Sequence, residues 1–310
     1  MLREMIANEE DVTKVCTSLI TFFIPLVGTA IENDTFNQEI NSWDVSNVIE
    51  FADTFRRFTA FNQDISAWDL SNATTTSGMF HSAYSFNQDI SGWDVSNIRN
   101  MSFMFASAEA FDQDLSVWDV SLVMNMESMF GSALSFNQPL NSWDVSSVTN
   151  MDRTFQFAES FNQSLSDWDV SNVTSMRGTF NHAESFDGEI TEWNVSNVTD
   201  MGFMFSAARE FNQPIGSWDV SSVTDMEAMF FTAFKFNQDI SSWDVSLVAE
   251  VTNMFRSANE FDQNISGWCL ATEIPNTFCI NSPLCEYDNA NYSCNPKIPK
   301  CNHGEALCGN

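Results

Sequence analysis

Basic residues are scarce in this chain. Lysine and arginine number 12 against 42 aspartates and glutamates, a formal net charge of −30 over 310 residues. Nucleic acids and anionic membranes bind positive charge, so the balance opposes both. It favours cations, basic partners or solubility alone. Glycine totals only 11, and no glycine-rich phosphate loop is present. The histidines His81, His182 and His303 share no spacing with cysteine, serine or carboxylates that suggests a triad or a metal site. His81 and His182 follow Phe80 and near Phe180 and are expected at the surface. Acidic pairs abound, yet none breaks the internal pattern as a glycosidase site would. No enzymatic activity is expected. The apolar run at residues 18–30 is shorter than the ~20 residues of a membrane-spanning helix, so no transmembrane segment is expected.

Cysteine is absent between Cys16 and Cys269, and six then fall together: Cys269, Cys279, Cys285, Cys294, Cys301 and Cys308. Pro275, Pro283, Pro296 and Pro299 interrupt any regular element there. An even set of cysteines in a loop-rich piece reads as a disulfide-stapled cap. About fifteen pairings are possible and the spacing does not choose. Zinc is the weaker rival, because no C-x-x-C pair exists and only His303 is near.

What the chain has instead is a period. Tryptophans stand at 43, 68, 93, 118, 143, 168, 193, 218, 243 and 268, all 25 residues apart, without an insertion or deletion. Each repeat starts at a Phe, as in FNQDISSWDVSLVAEVTNMFRSANE, residues 236–260. Counting from that Phe, Ile or Leu holds the fifth position, Trp the eighth, and Val or Leu the tenth. Trp243 and Val245 flank Asp244, the period of a strand with one buried face. Met226, Met229, Phe230 and Ala233 follow an i, i+3, i+4, i+7 pattern, one apolar face of a short helix. The expected fold is an α/β repeat solenoid. A parallel strand ladder lines one face, short helices and turns line the other, and a Cys-rich cap closes the C-terminus. No single repeat buries enough apolar surface to offset its chain entropy, so neighbours must stack. Thr76 replaces the usual apolar residue at the sixteenth position, which predicts looser packing in the second repeat.

The pattern FNQDI-x-x-WDVSNVT-x-M-x-x-MF-x-x-A, best developed in residues 86–110 and 211–235, resembles the BspA-like leucine-rich-repeat surface proteins. The resemblance covers residues 36–268, nine complete copies and a partial tenth. It implies a leucine-rich-repeat-like, right-handed solenoid. It also implies a secreted or cell-surface protein engaged in adhesion or recognition.

Three segments follow. Residues 1–35 fit the repeat poorly and read either as a cap over the first repeat or as a signal segment. For a signal, residues 18–30 are the apolar core and Gly28 and Ala30 the small residues before a cut. Against it, Glu4, Glu9, Glu10 and Asp11 make the preceding stretch acidic. Residues 36–268 are the solenoid, and residues 269–310 the disulfide-rich cap. Among nine N-x-S/T sequences, Asn291 in the cap is the most credible glycosylation acceptor, because most of the others arise from the repeat itself.

One row of residues invites a chemical reading: Asp44, Asp69, Asp94, Asp119, Asp144, Asp169, Asn194, Asp219 and Asp244, each just after a Trp. Stacking sets these side chains roughly 5 Å apart, where neighbouring carboxylates repel by ~0.8 kcal/mol even in water-like surroundings. Each Asp is expected to accept the backbone N–H of the Ser two residues on, as Asp44 with Ser46. The alternative is a row of hard oxygen ligands for Ca²⁺. The second position (Asn37, Asn62, Asn87, Asp112, Asn137 and onward) is expected to form a ladder of stacked amides. The residue before each Trp varies freely: Ser42, Ala67, Gly92, Val117, Ser142, Asp167, Glu192, Ser217 and Ser242. A binding face for an extracellular protein or glycan ligand would show such variation on a fixed frame. The expected location is extracellular or on the cell surface.

Overall fold

The computed structural model describes residues 2–23 and 35–285, with the short antiparallel pair β1 (Tyr287–Asp288) and β2 (Asn291–Tyr292) beyond them. Each 25-residue repeat is one coil, and the coils stack so that every residue lies over its counterpart one repeat away.

The backbone departs from the expected helices and strands. Among the described residues the only helix is α1 (Leu2–Ala7), and the repeats hold neither helix nor strand. Each coil instead makes a single parallel bridge to the next at its fifteenth position, as Asn100 to Asn125 and Asn125 to Asn150. The cause lies in where the N–H groups go. In the third repeat Met101, Phe103, Phe105 and Ser107 donate to the carbonyls of Asn125, Glu127, Met129 and Gly131 in the next coil, at 3.1, 2.7, 2.9 and 2.6 Å. The alternate N–H groups of Met104, Ala106 and Ala108 turn back three residues, to Met101, Phe103 and Phe105. An α-helix needs every N–H bonded four residues back, and here every second one is taken by the neighbouring coil. The result is a chain of linked turns. The eighteenth and twenty-second positions adopt positive φ, as Phe103 (57°), Ser107 (57°) and Gly178 (64°). That conformation belongs at the third residue of a type II turn.

The turns still bury the expected side chains. Met226, Met229, Phe230 and Ala233 are all buried. So are Trp243 and Val245, while Asp244 between them points outward. Trp243 is not in a strand, since its N–H turns back to Ile240 at 3.2 Å. Three aromatic rows run the length of the stack. The leading Phe rings lie about 6 Å apart, as Phe111 and Phe136 at 6.0 Å. Those at the twentieth position lie slightly closer, as Phe130 and Phe155 at 5.6 Å, and the indoles of Trp143 and Trp168 stack at 6.5 Å. Rings of the two Phe rows also meet face to face, Phe130 on Phe136 at 4.1 Å. Such pairs contribute roughly 0.5–1.5 kcal/mol each beyond area burial.

Ahead of the first repeat, residues 2–23 comprise α1 and an irregular segment after it. Val12 accepts the Trp43 indole N–H at 3.1 Å, and Phe23 donates its N–H to Glu50 at 3.1 Å. The Phe23 ring stacks against Trp43, Phe51 and Trp68. Gly28 and Ala30 lie outside the described residues. Thr76 is fully buried, and its hydroxyl bonds the Met104 sulfur at 3.2 Å. At Gly188, where the other repeats carry Gln, the chain passes close to Gln163 and the Phe186 ring, and a Cβ would meet that ring at 2.8 Å. Leu165 there donates its N–H to Glu189 at 3.0 Å.

Candidate binding surface

Two polar rows of the repeat are bound up in holding the coils. In the first, each residue after a Trp accepts the N–H of the serine two residues on: Asp44 from Ser46 at 3.1 Å, Asp119 from Ser121 at 3.0 Å, Asp244 from Ser246 at 3.0 Å. Asp69, Asp94, Asp144, Asp169 and Asp219 do the same. Asn194 makes the same bond with Ser196, at 3.2 Å, without a charge. The serine hydroxyl and then its N–H hold the Asp44, Asp69, Asp119, Asp169, Asp219 and Asp244 carboxyls below the ordinary aspartate value. The row is exposed, and its charges face water. Among the described residues no three His, Cys, Asp or Glu side chains are grouped to hold a metal ion. Each Asp directs one oxygen into its own turn, so neighbours do not converge on a shared point.

The second row is the ladder at the second position, and its bonds run from backbone to side chain. Asn62 Oδ1 accepts the Asn87 N–H and the Gln88 amide, both at 2.9 Å. Asp112 Oδ1 accepts the Asn137 N–H and the Gln138 amide at the same distance. Only an acceptor oxygen is required, which is why Asp112 and Asp187 serve as well as Asn.

A third row takes a smaller part: the Ser142 and Ser242 hydroxyls donate to the Ser116 and Gly216 carbonyls of the preceding coil at 2.8 Å and Asp167 accepts the Asn141 amide, while its other members vary in type. Ser42, Ala67, Gly92, Val117, Ser142, Asp167, Glu192, Ser217 and Ser242 are all exposed, and Val117 keeps 74% of its surface open. They stand beside the exposed Asp row, with the buried indoles between the two.

A further set of side chains, some exposed and some half-buried, lay outside the rows that the repeat pattern singles out. Tyr84, Ser107, Glu109, Ser132, Leu134, Phe157 and Glu159 line a shallow cavity of about 360 Å³ across four coils. They occupy the twenty-second and twenty-fourth positions. The signal available in the sequence was their variability, the same signal carried by the residue before Trp. His81 and His182 are half-buried rather than surface residues. They stack on Phe103 and Phe157, and burial lowers the pKa of both.

In the cap, Cys279 and Cys285 form a disulfide, and Cys269 is also disulfide-bonded. Cys294, Cys301 and Cys308 lie outside the described residues. Asn291 opens β2, and its side chain lies outside what the structure describes. Cys16 is a free, exposed thiol. No helix among the described residues is long and apolar enough to cross a membrane.

Comparison with curated proteins finds no match. The sequence pattern of one family, described as "Mycoplasma protein of unknown function, DUF285", matches residues 2–116, 88–193 and 175–279. The three overlapping spans run through the N-terminal coil, all nine complete repeats and the first part of the cap. The chain is a tandem-repeat protein and belongs to the DUF285 family.

Proposed function

We propose that this is a secreted or cell-surface binding protein, of the BspA-like leucine-rich-repeat kind, that works in adhesion or recognition. The observation that carries the reading is the contrast between rows. The invariant polar groups bond inward or within their own turns, while nine varied residues stand exposed in register beside the tryptophans. A fixed frame presenting a variable row suits recognition of an extracellular protein or glycan. The FNQDI…WDVSNVT pattern supports the finer family reading. The Cys279–Cys285 disulfide supports an oxidising compartment, where such bonds persist.

Two measurements test this. Intact mass and thiol count on protein from its own cells address location. A mature N-terminus near Ile31 with no free thiol supports an extracellular protein, and a chain that keeps Met1 with its thiols reduced overturns it. Screening against panels of extracellular proteins and glycans addresses binding. Capture that is lost on replacing Val117 and Glu192 by serine, at unchanged melting temperature, supports the row. Capture indifferent to those changes removes the row from the reading.

A further inference from the structure

The twenty-fourth position of successive coils forms one surface column: Tyr84, Glu109, Leu134, Glu159, Glu184, Arg209 and Phe234. Backbone bonds keep it in register. The carbonyls of Tyr84, Glu109, Glu184 and Arg209 each accept the N–H of the twenty-fifth residue one coil on, at 3.1–3.2 Å.

Toward the C-terminus this column supplies its own cations. The Arg209 guanidinium lies 5.6 Å above the Phe234 ring and pairs with Glu184 at 3.1 Å. Beside it Lys235 pairs with Glu210. One coil set earlier the same ingredients stand without a cation. Tyr84 and Phe157 expose 44% and 38% of their surface, Leu134 lies between them, and Glu109 and Glu159 are exposed at the edge of the same cavity. Among the described residues neither carboxylate has an ion-pair partner, whereas Glu127, Glu184 and Glu210 each have one. The His182 ring stacked on Phe157 does not fill the role, since burial disfavours its charged form.

We infer that the Tyr84–Leu134–Phe157 groove is a docking surface for a basic segment of a partner protein. The partner's Lys or Arg stems lie over the rings and Leu134, and their charged heads reach Glu109 and Glu159. The two carboxylates are two coils apart, roughly 10 Å at strand-like spacing, so adjacent basic side chains of an extended segment span them. Long cationic side chains cover apolar surface with their methylenes and add cation–π attraction to rings. The chain repeats this arrangement within itself at Arg209, Phe234 and Glu184. The inference rests on the binding reading above, but it uses a different row.

The test uses the full-length oxidised chain and a fluorescein-labelled oligo-arginine peptide, with affinity read by anisotropy at near-physiological salt. Because the chain is strongly acidic, the control must remove equal charge from the same two coils. The pair Glu109→Gln and Glu159→Gln is compared with the pair Asp94→Asn and Asp144→Asn. Affinity should fall about tenfold or more in the glutamate pair and change little in the aspartate pair. Tyr84→Ser, which leaves all charge in place, should also weaken binding severalfold. Equal losses in the two charge pairs would reduce the effect to overall charge and overturn the groove. So would a Tyr84→Ser variant that binds like wild type. If the groove fails while capture through the row at Val117 persists, the binding reading stands and this site does not.

Discussion

The indole N–H of Trp143 donates to the carbonyl oxygen of Leu115 at 2.9 Å. The same oxygen accepts the backbone N–H of Trp118 at 3.0 Å, so one carbonyl closes a turn in its own coil and anchors the next. Both of its lone pairs are used. The bond recurs along the chain, to Trp268 and Ile240 at 3.1 Å. It accounts for the unbroken period: one inserted residue would carry an indole off its carbonyl and out of the ring stack together.

Trp143 therefore offers two separable variants. Trp143→Phe keeps a ring in the stack and removes the donor. Leu115 retains its bond from Trp118, so the expected cost is the lost hydrogen bond, about 0.5–1.5 kcal/mol, plus that of the smaller ring. Trp143→Ala also removes the ring, and the cost rises to about 3–5 kcal/mol. Denaturant unfolding of both measures the difference. Equal losses would mean that the donor, not the ring, holds the row.

Acid should loosen the stack through the row beside the tryptophans. Its carboxyls sit below their ordinary value of 3.8 in the folded chain, as at Asp119 and Asp219, because serine groups donate to the ionised form. A depressed folded value gives stability that is present above the unfolded value and lost as pH falls through the folded one. The melting temperature should thus drop below about pH 4 as these bonds are protonated away. Asn194 already makes the bond without a charge. Replacing Asp119 and Asp219 by Asn should leave stability near pH 7 almost unchanged and flatten part of the acid limb. An unaltered limb would place the acid sensitivity elsewhere.

Chelation should do nothing to the melting temperature. No three acidic, His or Cys side chains are grouped so as to hold a metal ion among the described residues, and each Asp of the row turns one oxygen toward its own serine. A calcium site would raise the midpoint with added Ca²⁺ by linkage. Calorimetry with EDTA and with millimolar Ca²⁺ separates the cases. A midpoint that falls with EDTA would restore the cation row.

Much of the burial was legible from spacing alone. The fifth, eighth, tenth, sixteenth, nineteenth, twentieth and twenty-third positions were expected inside, and Ile240, Trp243, Val245, Met226, Met229, Phe230 and Ala233 are buried. The Asp–Ser turns were legible too, because both partners lie within three residues. The backbone was not. A helical face and two successive four-residue turns bury the same offsets, so the pattern at Met226, Met229, Phe230 and Ala233 fits either. What decides is the destination of alternate N–H groups, and that acceptor lies one repeat away. The groove at Tyr84, Leu134 and Phe157 was hidden for a related reason, since its members meet only through stacking.

Gly178 distinguishes helix from turn in solution. It occupies the eighteenth position, inside the segment whose spacing resembles a helix, and its φ is +64°. A Cβ there would meet nothing nearer than Arg153 Cγ at 3.5 Å, so substitution tests the backbone and not the space. In a helix Gly178→Ala would stabilise by about 1 kcal/mol. In a left-handed turn it costs about 1–2 kcal/mol, partly offset by a stiffer unfolded chain. The expected outcome is a net loss of up to about 1 kcal/mol, read as a lower denaturation midpoint. A gain would return the segment to a helix and remove the inter-coil bond from Gly178 to Gly202, now 2.8 Å. Gly78→Ala should cost about the same, since its φ is also +64° and the atom its Cβ would meet is the outer end of the Asp53 side chain, which can swing aside.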